Sequence, residues 1–132
     1  MPRIMLPLLL LLLPCLATAS DEEENPPPPV MSYYQILPSL VANLASGGHY
    51  VRCDIQLMTE DQSLLEDFRL HDPAIRHILL MLLSEQDGDQ IKSIEGKEAL
   101  RKKAIEQIRA LIKKETGKEG PQALFFTTFF VQ

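Results

Sequence analysis

The sequence predicts an α+β fold: a small sheet of at least three strands with two helices on one face. Three observations lead there. Two alternating apolar runs flank a glycine-containing turn, two later segments carry apolar stripes at helical spacing, and the last ten residues form an uncharged, phenylalanine-rich strand.

The first strand is read from Pro38 to Ala45, with Leu40, Ala42 and Leu44 on one face and Val41 and Asn43 on the other. Ser46-Gly47-Gly48 supplies the turn. His49 to Met58 then alternates: Val51, Cys53, Ile55 and Leu57 point one way, Tyr50, Arg52, Asp54 and Gln56 the other. Together they predict a β-hairpin.

Thr59 to Leu70 is ambiguous, with Leu64, Leu65 and Phe68 as a weak helical stripe. The first clear helix is expected to start with Asp72 as cap and Pro73 at the first helical position. Its stripe is Ile75, Ile78, Leu79, Leu82 and Leu83, and Asp87-Gly88-Asp89 breaks it. A second helix begins after Ser93 and puts Leu100, Ala104, Ile108, Leu111 and Ile112 on one side, with Ile105 at the margin, stopping at Gly117. Glu95 in its first turn and Lys113 and Lys114 in its last suit the helix dipole.

Ala123 to Gln132 holds four of the five phenylalanines. Apolar groups at odd and even positions predict an interior strand covered on both sides. Phe125 and Phe129 are expected on one face, Phe126 and Phe130 on the other. One set would meet the helices; the other would need a further layer, from residues 31–37 or a second subunit. No further activity is expected beyond Gln132.

The net charge of −5 argues against nucleic acid as a partner. Much of it is local to Asp21, Glu22, Glu23 and Glu24. From Met31 onward there are 14 acids and 12 bases, a difference of −2, so no strong field steers a charged ligand.

Residues 1–19 read as an export signal: Arg3, an apolar run from Ile4 to Leu13, then Ala17-Thr18-Ala19. The other reading is a short membrane anchor, although Ile4 to Ala19 is 16 residues, below the roughly 20 that span a bilayer. Either puts the domain across the membrane. Pro14 beside Cys15 disfavours a lipid-modified cysteine. Residues 20–37, acidic and then proline-rich at Pro26 to Pro29, are expected to be an extended spacer. Without the signal, Cys53 is left alone, a small buried thiol on the apolar side of its strand.

No catalytic constellation is legible. His71 and His77 lie six residues apart and do not share a helix face as a metal pair would. His71-Asp72 with a nearby serine lacks a nucleophile elbow or oxyanion loop. Asp87 to Glu98 lacks the calcium-loop ligand pattern. The basic run Lys97, Arg101, Lys102, Lys103 reads as a solvated helix face, or as contact with an anionic membrane surface or a protein. Neither enzyme activity nor a cofactor is expected.

Five segments in order resemble one family. Pro38-Ser39-Leu40-Val41-Ala42-Asn43-Leu44, the strand Tyr50 to Leu57, Asp72-Pro73-Ala74-Ile75-Arg76 with Leu82-Leu83-Ser84, Glu95-Gly96-Lys97-Glu98-Ala99-Leu100-Arg101, and Phe126-Thr127-Thr128-Phe129-Phe130-Val131-Gln132 are similar to the motifs of the flagellar basal-body-associated FliL family. The resemblance spans 38–132 and implies a periplasmic domain of stomatin/prohibitin type at the inner membrane, beside the flagellar basal body. It implies contacts with stator or basal-body proteins, self-association, and support of motor rotation, with no enzyme activity. The family usually has a full membrane-spanning helix, which this N-terminus departs from. The motif positions are Asn43, Arg76, Glu95, Gly96, Arg101, Phe126 and Gln132. A competing reading is an envelope module that binds a small ligand or a lipid surface.

Overall fold

The computed structural model describes residues 25–132; the expected signal or anchor at 1–19 lies outside them. The elements are β1 (Ser32–Asn43), β2 (Tyr50–Thr59), α1 (Ser63–Leu70), α2 (Asp72–Ser84), α3 (Gly88–Ile91), α4 (Ile94–Thr116) and β3 (Ala123–Val131). The class is α+β, as the sequence predicts. The sheet is antiparallel with order β1-β2-β3. α2 packs on β1 and α4 on β3, covering one face. No helix among the described residues is long and apolar enough to cross a membrane.

The hairpin alternation holds. Val51, Cys53, Ile55 and Leu57 of β2 are buried under the helices, and Leu40 and Ala42 of β1 join them. Burying each large aliphatic side chain contributes about 1.5–3 kcal/mol. β1, however, begins at Ser32, not Pro38. Residues 32–37, read from sequence as spacer or as a further layer, lengthen β1 within the same layer. Tyr33 lies opposite Met58 and Ile36 opposite Ile55. Proline had suggested a strand end, but the sheet absorbs Pro38 in a bulge on its edge. Leu37, Pro38 and Ser39 stand against Asp54 alone, which adds two residues and so keeps Ile36 and Leu40 on the same, fully buried face.

The C-terminal strand corrects the expectation more sharply. β3 is an edge strand, and β2 is the central one. Phe126 lies opposite Ile55 and Thr128 opposite Asp54, so Thr127 is one extra residue. A single insertion reverses the side-chain alternation. Leu124, Phe126, Phe129 and Val131 therefore face the helices, while Phe125, Thr128 and Phe130 face out. The odd and even apolar positions reflect a bulge, not a strand covered on both sides. The predicted pairing of Phe125 with Phe129 fails; Phe126 and Phe129 meet edge-on instead, their ring centres 5.0 Å apart.

Both long helices lie where their stripes put them. α2 buries Ile75, Leu79, Leu82 and Leu83; α4 buries Leu100, Ala104, Ile105, Ile108 and Ile112. Ser93 caps α4 by accepting from the Gly96 amide at 3.0 Å. Gly117, at φ 75°, ends it in the left-handed region. Arg109 fastens the return to β3, donating to the Pro121 and Gln122 carbonyls at 2.8 and 2.9 Å. The ambiguous segment is helical: α1 buries Leu64 and Phe68.

Two local expectations change. Asp72 is not the cap of α2; it lies inside the first turn and accepts from the Tyr34 hydroxyl at 2.9 Å. Burial, then this bond, pushes the Tyr34 phenol up to about 12. α2 ends at Ser84, ahead of Asp87-Gly88-Asp89, which instead opens α3 with Asp87 as its cap. The Asp87 carboxylate accepts from the Asp89 amide at 2.8 Å and from the Ser46 hydroxyl at 2.9 Å. That holds its pKa below the ordinary range, the Ser46 bond being the larger cause.

Cys53, on the helix-facing side of the central strand β2, is fully buried, and burial pushes its thiol up to about 12. In a Cys15→Ser background, Cys53 is expected to resist thiol labelling at pH 8 until the protein is unfolded. Rapid labelling of the folded protein would contradict this packing.

Candidate interaction face

With helices on one side, the outward residues of the three strands form an uncovered sheet face. β1 contributes Tyr33, Gln35, Leu37, Val41 and Asn43; β2 contributes Tyr50, Arg52, Asp54, Gln56 and Met58; β3 contributes Phe125, Thr128 and Phe130. Large apolar groups here meet water: Leu37 is 67% exposed, Val41 55%, Tyr33 53%, Phe130 50% and Phe125 43%. Isolated exposed apolar residues are ordinary, but several on one sheet face form a surface suited to a protein partner.

A polar centre interrupts the apolar rim. The Ser39 hydroxyl bonds the Asp54 carboxylate across the β1 bulge. This bond, reinforced by Thr128, holds the Asp54 carboxyl below the usual range. Arg52 lies exposed on the same face, opposite Val41 and Phe130. At the turn end, the Tyr50 and Phe130 rings are tilted with centres 6.3 Å apart.

The motif positions do not converge on one point. Asn43 closes β1 on the outer face, exposed and opposite Tyr50. Gln132 meets the same tyrosine: its amide oxygen accepts from the Tyr50 hydroxyl at 2.7 Å. Its backbone oxygen accepts from the His49 and Tyr50 amides at 2.6 and 2.9 Å. Arg76 donates to the Pro38 carbonyl at 2.7 Å, tying α2 to the β1 bulge. Glu95 is exposed in the first turn of α4. Arg101 forms a fork with Glu98 one turn back. Gly96 lies against α3 rather than against the sheet: a Cβ there would overlap the Gln90 carbonyl oxygen and lie 2.6 Å from its carbon. Phe126 faces the helices beside Phe129, over whose ring Lys97 Nζ sits 5.2 Å from the centre.

Sequence reasoning missed Tyr33, Leu37 and Met58 as parts of this face. The alternation of Tyr33 against Tyr34 and Ile36 was the available signal, masked by the neighbouring prolines.

A family model described as flagellar basal body-associated protein FliL matches residues 33–132, starting one residue into β1 and running through β3. The flagellar protein FliL of Aquifex aeolicus (strain VF5) is 28% identical over 101 residues, which is 75% of this chain. The aligned region spans 60% of that relative's length. With five motif segments in order on one continuous α+β domain, and the family match covering that whole domain, the chain belongs to the flagellar basal body-associated FliL family.

Proposed function

We propose that this domain acts by contact with stator or basal-body proteins of the bacterial flagellum, supporting motor rotation and swimming. The observation that carries the proposal is the family match over the entire fold, residues 33–132. The open sheet face, with Tyr33, Leu37, Val41, Phe125 and Phe130 exposed, supports a role in protein contact. In this reading the domain stands in the periplasm, delivered by the N-terminal segment either as a cleaved signal or as an anchor to the inner membrane. Its contribution is mechanical: it changes how firmly a stator unit engages, and no catalytic step or cofactor enters.

The test is an in-frame deletion with swimming measured in media of rising viscosity. Filaments are expected to assemble, and the speed deficit to widen with viscosity, because firm stator engagement matters most under load. Wild-type speed in both thin and viscous media would contradict the proposal.

A further inference from the structure

Both irregularities in the sheet fall at one residue. Leu37, Pro38 and Ser39 bulge out of β1 opposite Asp54, and the extra residue of β3, Thr127, sits beside Thr128, which is also opposite Asp54. Bulges bend a strand and re-aim side chains, and they are frequent next to active sites. Here each brings a hydroxyl to the Asp54 carboxylate: Ser39 from β1 and Thr128 from β3. A carboxylate has about four acceptor sites, so two hydroxyls leave about half of them open. The charge is unpaired as well. None of the ion pairs among the described residues includes Asp54, although Arg52 lies on the same face two residues back along β2. Leu37, Val41, Phe125 and Phe130 lie around it on that face with their apolar groups exposed.

We infer that Asp54 is the charged key of the open face, and that the protein segment docking there presents an arginine or lysine to its carboxylate between apolar side chains. The inference rests on the open face being the contact surface, as proposed above, and names what that surface selects. Charge complementarity decides the occupant. The two hydroxyls fix the carboxylate in place before a partner arrives, so little side-chain freedom is lost on binding. The apolar groups around it exclude water from the pair, which lets one central charge contact outweigh contacts at the rim. An anionic lipid headgroup or an acidic segment would be repelled at this point.

The test is in-cell photo-crosslinking of the full chain from a photoreactive amino acid at Leu37, with Asp54 kept or replaced. Adducts are identified by mass spectrometry, and yields are taken per protease-resistant, folded protein. The motor-protein adduct is expected to fall about tenfold or more in Asp54→Asn, to disappear in Asp54→Lys, and to be largely kept in Asp54→Glu, which retains the charge. The partner peptide in the adduct is expected to carry arginine or lysine beside the crosslinked residue. Unchanged yield in Asp54→Asn and Asp54→Lys would overturn the inference and leave the contact reading standing. Equal loss in Asp54→Asn and Asp54→Glu would also overturn it, because packing, not charge, would then be responsible. No protein adduct with Asp54 kept would overturn the contact reading and this inference together.

Discussion

Replacing Phe68 by alanine is expected to lower the free energy of unfolding by about 3–5 kcal/mol. Phe68 is fully buried and is the largest side chain in that state. Its ring lies 5.8 Å from that of Tyr34, joining α1 to the first half of β1. Small domains have only about 5–15 kcal/mol in total, so the loss removes a large part of the margin. Urea denaturation followed by circular dichroism measures it. A change below about 1 kcal/mol would mean that the site collapses around the smaller side chain or that α1 is not packed as described.

Gly96→Ala is expected to destabilise the domain by about 2 kcal/mol, although alanine favours helix by about 1 kcal/mol over glycine. The reason is the Gln90 carbonyl, which the new methyl group would overlap. Backbone cannot rotate aside as a side chain can, so α3 and the first turn of α4 must separate. The Ser93 cap, which depends on the Gly96 amide, would be strained in the same move. Thermal unfolding should show the lower midpoint. A more stable variant would show that the α3–α4 corner has room that this packing denies.

The sequence made the hairpin and both long helices legible because each buries one side of a regular repeat. Val51, Cys53, Ile55 and Leu57 alternate without interruption, and Ser93 and Gly117 mark the ends of α4 through local chemistry. The errors fall where an element breaks its period. Pro38 looks like a strand start until the bulge opposite Asp54 carries β1 past it. The phenylalanine run looks like a strand covered on both sides until Thr127 shifts the alternation. Neither bulge has a local signature, since each exists only relative to its partner strand. Asp72 followed by proline has the composition of a helix start, but α1 ends so close to α2 that the cap position falls on His71. The open face was half legible. Regular alternation sets Val41, Tyr50 and Arg52 on the face opposite the apolar one, whereas Tyr33 and Leu37 fall in a proline-flanked stretch that reads as spacer. The motif residues Arg76 and Gly96 were readable as positions, but their partners, Pro38 and Gln90, come from tertiary packing.

The proposed contact between this domain and flagellar proteins is open to a direct test. In-cell photo-crosslinking tests it most directly, with a photoreactive amino acid at Leu37 on the open sheet face and, for comparison, at Lys114 on the solvent side of α4. Leu37 is expected to yield adducts containing a stator or basal-body protein, and Lys114 far fewer. Cells swimming normally with the labelled protein, yet giving no motor component in any Leu37 adduct, would contradict it.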